Sequence, residues 1–309
     1  MIALIWIAVL VVALAVLLKG ADVFVDQATG LARSLGVPQF LIGVTLVAVG
    51  TSLPELAAAI FSVLDGAGEF VAGTVIGSNV ANICFIMGTA ALAFRGVKVG
   101  PELAKADMPV MLLAAVALAL TCLDGVFSLG EAIVFLAMYG MYIVYGIRQQ
   151  KSSKEEKQGK FKPIVILWLA LSAAAVYFGA QYTVTAVIRL TAILGLSDTS
   201  ILALTLVAVG SSLPELVVTL NAAKKKFYDL SLGNVLGSNI CNSFLVMGAP
   251  GLIAPLPVSQ GVLMVGVPFM LGSSLLILVF AQSGNITRLA GGFLLAMFLL
   301  FLGKTVGVF

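Results

Sequence analysis

Two glutamates, Glu55 and Glu215, are the residues on which chemistry can be built. Each sits in an almost identical apolar segment. Thr45 to Leu56 reads TLVAVGTSLPEL and Thr205 to Leu216 reads TLVAVGSSLPEL, identical at 11 of 12 positions at an offset of 160. A second pair follows at the same offset: Gly73–Gly88, GTVIGSNVANICFIMG, against Gly233–Gly248, GNVLGSNICNSFLVMG. Glu55 therefore precedes Asn82 by 27 residues, as Glu215 precedes Asn242. Conservation of both motifs and of the gap between them marks a duplicated unit.

A charged acid at the centre of a bilayer costs about 2.5–3.5 kcal/mol on insertion scales, so such residues face a cavity and serve function. Of the 14 acidic residues, 12 fall near the ends of apolar runs or between them; only Glu55 and Glu215 lie in mid-run. The alternative is a protonated or paired structural glutamate. No basic residue at matching depth is available as a partner, and the arrangement occurs twice, which favours the functional reading.

Pro54 and Pro214 add backbone chemistry. A proline inside a helix lacks its N–H and leaves the carbonyl four residues back without a donor, here Gly50 and Gly210. The adjoining glycine permits further unwinding, so the second apolar run is expected to be a broken helix. Hydroxyls stand beside the prolines: Thr51 and Ser52 in one copy, Ser211 and Ser212 in the other. On a continuing helix Thr51 and Ser52 share a face with Glu55. Ser78 shares one with Asn82, and Ser238 with Asn242, for the same reason. Asn79 and Asn239 are offset around the helix and read as helix–helix hydrogen bonds. The glycines around them allow close helix contact.

The donor set is carboxylate, carbonyl, hydroxyl and amide oxygen. It suits a hard cation, Ca²⁺, Na⁺ or Mg²⁺, and not Zn²⁺ or Cu⁺. The two carboxylates supply a charge that one Ca²⁺ or several Na⁺ would neutralise. No cofactor is expected. There is no histidine, hence no Ser–His pair or His metal cluster, and the chain is not read as an enzyme. The three cysteines, Cys84, Cys122 and Cys241, lie in or at the edge of apolar runs and are read as buried small hydrophobes.

The elements that carry these residues are membrane spans. The 309 residues are 61% hydrophobic and 10% charged, with mean hydropathy +1.15, which excludes a soluble domain. Ten spans are expected: Ile2 to about Leu31, Pro38–Asp65, Phe70–Phe94, Leu103–Thr121, Ser128–Ile147, Pro163–Leu194, Thr199–Ala223, Leu230–Ile253, Gly261–Phe280 and Ile286–Gly303. The fold class is all-α integral membrane. Residues 1–148 form a first five-helix half, 149–162 a linker, and 163–309 a second half. Gly20–Val25 (GADVFV) and Gly179–Val184 (GAQYTV) extend the duplication.

Five spans per half is an odd number, so the second copy enters from the opposite face: the repeats are inverted. With both termini outside, 14 of the 17 basic residues fall on the inner side, including the lysines of the linker, which is then cytoplasmic. A multi-pass protein of the cell membrane follows. Its partners are the lipid bilayer and the ions; no nucleic acid and no obligatory protein partner is called for, and a monomer is expected.

GTSLPE at Gly50–Glu55, GSSLPE at Gly210–Glu215, and the paired GSNVAN and GSNICN resemble the α-repeats of the cation/calcium antiporter superfamily, above all its sodium/calcium exchangers of prokaryotic type. The resemblance implies ten helices in two inverted halves, helices two, three, seven and eight around the ions, and helices one and six sliding across them. It implies antiport of Ca²⁺ against Na⁺. It gives Ca²⁺ to Glu55 and Glu215 with the carbonyls of Thr51 and Ser211. It gives Na⁺ to Ser52, Ser78, Ser212 and Ser238 with the carbonyls of Ala48 and Ala208, and sets Asn82 and Asn242 at the centre. Ser211 stands where many relatives have threonine. Potassium-dependent members carry aspartate at the position of Asn242, so K⁺ co-transport is not expected. The nearest rival is a Ca²⁺/H⁺ exchanger using the same two glutamates; a cation channel is the rival of another class.

Overall fold

The computed structural model describes residues 2–37, 39–150, 163–193 and 212–307. Ten helices carry them: α1 (Ile2–Leu35), α2 (Gln39–Leu64), α3 (Glu69–Ala93), α4 (Leu103–Thr121), α5 (Leu129–Gln150), α6 (Ile164–Ile193), α7 (Leu213–Lys224), α8 (Tyr228–Gly251), α9 (Val262–Ala281) and α10 (Arg288–Thr305). Nine of these are long and apolar enough to cross a membrane; α7 is described for 12 residues only. The expected seventh span is described only from Ser212 onward. Beyond its first two residues, which end α5, the 149–162 linker lies outside the described residues.

Helix ends depart from the expected ones by a few residues because backbone hydrogen bonding does not stop where the apolar run stops. The chain itself supplies the stop signals. Gly36, at φ 66, ends α1 in the left-handed conformation, with the Val37 N–H donating back to Ala32 O at 2.9 Å. Ser128 and Glu131 form a reciprocal cap at the start of α5, the Ser128 N–H donating to Glu131 Oε2 at 2.6 Å and the Glu131 N–H to Ser128 Oγ at 3.4 Å.

The second span is not broken at Pro54. α2 runs through it without interruption. The ring of a helical proline crowds the carbonyl of the fourth residue back, and here that residue is Gly50, which has room to yield. The irregularity lies earlier, in a π-helical turn at Gly43–Val47. Similar turns occur in α3 (Ala81–Met87), α4 (Leu103–Asp107), α8 (Asn242–Val246) and α9 (Val262–Gly266). Those of α3 and α8 correspond under the 160-residue offset, as do those of α4 and α9.

Four two-residue strands reveal the symmetry. β1 (Val97–Lys98) follows α3, β2 (Val126–Phe127) follows α4, β3 (Leu256–Pro257) follows α8 and β4 (Asn285–Ile286) follows α9. β1 pairs with β4 and β2 with β3, both antiparallel. Val97 opposite Ile286 becomes, under the offset, Pro257 opposite Val126, which is the observed second pair. β1 and β2 stand at opposite ends of the 19-residue helix α4, about 28 Å apart at about 1.5 Å per residue. Hence β1 and its repeat equivalent β3 lie on opposite faces, and the two five-helix repeats are inverted. The β1–β4 end also collects Arg33, Arg95, Lys98, Lys105, Lys224, Lys225, Lys226 and Arg288, and is called the basic face below.

α1 and α6, of 34 and 30 residues, are longer than a bilayer requires and pack along one another. They cross where each presents a glycine: a Cβ on Gly179 would lie 2.7 Å from Leu17 N, and one on Gly20 3.0 Å from Ala175 Cβ. At the centre of the molecule is α8, whose residues Leu230 to Cys241 are all buried. A Cβ on Gly237 would meet Val44 Cα and O at 2.5 Å, so this glycine lets α8 lie directly against α2.

Candidate ion-binding site

Four helices bring the predicted residues together. α2 supplies Ala48, Thr51, Ser52 and Glu55; α3 supplies Ser78 and Asn82; Glu215 comes from α7, with Ser212 just before it; α8 supplies Ser238 and Asn242. All are buried, none more than 6% exposed. Ala208 and Ser211 lie outside the described residues. The thiols of Cys84, Cys122 and Cys241 are free and buried.

Contacts join the two repeats across the centre. Ser52 Oγ donates to Glu215 Oε1 at 3.4 Å, bringing the carboxylate of the second repeat to the helix that carries Glu55. Thr51 Oγ1 lies 3.4 Å from Ser238 Oγ. Its single proton is shared between Ala48 O at 3.2 Å, on its own helix, and Asn234 Oδ1 at 3.3 Å, on α8. Asn82 Nδ2 donates to Asn239 Oδ1 at 3.0 Å, and Asn79 Nδ2 to Ser243 Oγ at 2.9 Å. Asn79 and Asn239 thus cross-link α3 and α8. Asn82 and Asn242 each sit in or at the start of a π-helical turn, a feature common at functional sites because it re-aims side chains.

What remains unsatisfied defines the chemistry. Buried polar atoms are nearly always hydrogen-bonded. Here Glu55 Oε2, Glu215 Oε2, Asn82 Oδ1, Asn242 Oδ1 and Ser212 Oγ are all buried without a hydrogen-bond partner. None of the ion pairs among the described residues involves either glutamate. Four of these atoms can only accept, and cations are the partners that would answer them. Carboxylate, amide and hydroxyl oxygens are the ligands of alkali and alkaline-earth ions.

Two spaces adjoin the site. A narrow cleft runs from Glu55, Ser78 and Asn242 past Ala58 and Ala59 to Ser62 and Thr74. Those last residues lie toward the C-terminal end of α2 and the N-terminal end of α3, the end away from the basic face. A smaller space lies under α1 and α6, between Phe24, Val176 and Tyr177 on one side and Gly50, Pro54 and Pro214 on the other. Gly50, to whose carbonyl Pro54 cannot donate, lines it.

Sequence reasoning passed over two groups. Asn234, fully buried on α8, accepts from Thr51 Oγ1 at 3.3 Å and donates through Nδ2 to Thr219 Oγ1 at 2.9 Å. Its repeat equivalent is Thr74, so a search for matching positions overlooks it. Asp107, near the start of α4, is buried and accepts from Tyr142 OH at 2.8 Å, while its other oxygen has no partner. It is read from sequence as a span-end acid, and only the packing of its segment against α8, with Tyr142 of α5 reaching over, turns it inward.

Known proteins share this architecture. The model of the family described as sodium/calcium exchanger protein matches residues 5–148 and 164–306. The chain is 36% identical to sodium/calcium exchanger MaX1 of Methanosarcina acetivorans over 95% of this chain and 96% of that protein. It is 30% identical to inner membrane protein YrbG of Escherichia coli over 80% of each. The solved structure of the sodium-calcium exchanger NCX_Mj soaked with zero Na⁺ and Ca²⁺ superposes with a TM-score of 0.85 at 30% identity, covering 96% of this chain and 98% of that one. With inverted repeats, an all-oxygen site between them and this similarity over nearly its whole length, the chain belongs to the sodium/calcium exchanger protein family.

Proposed function

We propose that the chain is a secondary antiporter that exchanges Ca²⁺ for Na⁺ across the cell membrane by alternating access, moving net charge in each cycle. The observation that carries this reading is the set of partnerless buried oxygens contributed by both repeats to one site. The names of MaX1 and NCX_Mj as sodium/calcium exchangers support the choice of ions. Serine-rich LPE motifs speak against proton coupling.

In this reading Glu55 and Glu215 bind Ca²⁺ with the carbonyls of Thr51 and Ser211. Ser52, Ser78, Ser212 and Ser238 bind Na⁺ with the carbonyls of Ala48 and Ala208, and Asn82 and Asn242 line the centre. Ions compete because the carboxylates are shared: two negative charges buried at this depth resist movement through the low-dielectric region until cations compensate them. α1 and α6, meeting at Gly20 and Gly179, slide across the site to expose it to one face and then the other. The working halves are residues 1–148 and 163–309, with 149–162 as the link. The basic face is cytoplasmic, which puts both termini outside. With three Na⁺ per Ca²⁺ one charge crosses per cycle, worth about 2.3 kcal/mol per 100 mV.

The test uses purified protein in liposomes loaded with Na⁺, with a protonophore present and Ca²⁺ uptake followed as the external Na⁺ is varied. Uptake driven by the Na⁺ gradient and accelerated by an inside-positive potential is the expected result. Uptake indifferent to Na⁺ but driven by a pH gradient without the protonophore would assign the site to Ca²⁺/H⁺ exchange instead.

A further inference from the structure

The 160-residue offset predicts for the second repeat a mirror image of the open cleft, leading from Glu215 and Ser238 past Thr219 and Ala222 to Asn234 and the basic face. Among the described residues no such passage is open. Glu215, Thr219, Ala222, Ser231, Asn234 and Ser238 are all buried, none more than 1% exposed. In the first repeat the residue equivalent to Asn234 is Thr74, which is exposed and donates only to its own helix, at Phe70 O, 2.9 Å.

The difference is chemical. Asn234 Nδ2 donates to Thr219 Oγ1 at 2.9 Å and to Glu215 O at 3.5 Å, while Asn234 Oδ1 accepts from Thr51 Oγ1 at 3.3 Å. Ser231 Oγ donates to Thr219 O at 3.0 Å. These bonds tie α8 to α7 and α2 across the passage. The first repeat has Ala59 where the second has Thr219, and Val71 where it has Ser231, so it lacks the hydroxyls from which the same knot could be made.

A second contact holds the same end. Lys225 Nζ, just beyond α7, pairs with Asp22 Oδ1 at 2.6 Å and Asp26 Oδ1 at 2.7 Å and donates to Asp22 O at 3.1 Å, fastening α1 to the turn between α7 and α8. Partial burial works against the Lys225 ammonium, but the hydrogen bonds to Asp22 and Asp26 outweigh it and hold its pKa above the ordinary lysine value. At the other end the equivalents are Asp65 with Gln181 and Thr185, which carry no opposing charges.

We infer that Asn234 is a one-sided gate residue, which closes the passage to the basic face and makes the resting protein open to the opposite face. Two identical inverted repeats would give two conformations of equal free energy; only residues that differ between the repeats can bias them. Asn234 touches Thr51 and Glu215 and so acts on the site through its neighbours. It is a positioning residue. The inference rests on the alternating-access reading above.

The experiment labels single cysteines with a membrane-impermeant maleimide. Ala222→Cys reports the closed passage and Ser62→Cys the open one; the three native thiols are buried. Ser62→Cys is expected to label from the opposite face and Ala222→Cys hardly at all. Asn234→Thr, which installs the residue of the first repeat, is expected to raise Ala222→Cys labelling from the basic face about tenfold, the worth of about one net hydrogen bond. Thr219→Val removes the main acceptor for Asn234 with little change of volume and carries the same expectation, so a failure of Asn234→Thr to insert leaves the test intact. Thr74→Asn alone should leave Ala222→Cys labelling low. Labelling of Ala222→Cys that stays at the original rate in both variants overturns the gate. Labelling that rises equally at Ser62→Cys and Ala222→Cys overturns it too, since that is general loosening. These readouts need no Ca²⁺ transport, so a failure of Na⁺-driven Ca²⁺ uptake in the unmodified protein would count against the exchange reading alone.

Discussion

Replacing Glu215 by Gln separates binding from folding, because the two effects have opposite signs. Glu215 is 1% exposed; its Oε1 accepts a long 3.4 Å contact from Ser52 and its Oε2 is buried without a hydrogen-bond partner. Gln fills nearly the same volume without the charge. The half charge on the one carboxylate oxygen at a Ca–O distance of about 2.4 Å, at an effective dielectric of about 20, contributes roughly 7 kcal/mol of attraction to a divalent ion and roughly half that to Na⁺. If desolvation cancels half, roughly 3 kcal/mol remains for Ca²⁺, about a hundredfold in affinity. Without ions, the variant has lost one of two unpaired buried carboxylates and should melt higher than the parent. Ca²⁺ at about one hundred times its dissociation constant stabilises the parent by about 2.7 kcal/mol, so its melting temperature should climb with Ca²⁺ while that of the variant stays flat. Thermal unfolding in detergent across a Ca²⁺ series measures both. A variant that melts lower without ions, or that keeps the Ca²⁺-dependent rise at the parental concentrations, refutes the assignment of Glu215 to the ion.

Four further outcomes follow from the packing. Gly237→Ala should prevent assembly, because the new Cβ meets Val44 backbone at 2.5 Å and neither helix can yield; a cost above about 3 kcal/mol is expected. Gly140→Ala on α5, with nothing within 4 Å of a new Cβ, should insert and melt normally, and size-exclusion and thermal melting of the two glycine variants read both outcomes. Tyr142→Phe removes the donor to buried Asp107 and should destabilise by about 1–3 kcal/mol, largely recovered on adding Asp107→Asn; equal melting of parent and single variant would show that the pair contributes nothing. Lys225→Met should raise Ala222→Cys labelling from the basic face by no more than about fivefold, since exposed ion pairs are worth up to about 1 kcal/mol, and high salt should imitate it in the unmodified protein.

The duplication, the ten spans, their inversion and the two intramembrane glutamates are legible in the chain itself. A bilayer imposes one-dimensional rules: apolar run length fixes a span, an odd number of spans inverts the second copy, and a carboxylate amid hydrocarbon stands out. The oxygen-rich character of the site is readable for the same reason, because its donors recur at fixed helical spacing in both copies. The break expected at Pro54 did not follow, since whether a proline interrupts a helix depends on what occupies the fourth residue back.

Tertiary structure alone decided which oxygens go unpartnered and which side of the site is open. Glu55 Oε2, Asn82 Oδ1 and Asn242 Oδ1 lack donors only because of how four helices from two repeats meet. The knot at Asn234 joins residues 51, 219 and 234, whose separation in the chain gives no hint of contact. Repetition in the sequence displays what the halves share, whereas the direction in which the protein faces depends on where they differ, and those differences act only once the helices are packed.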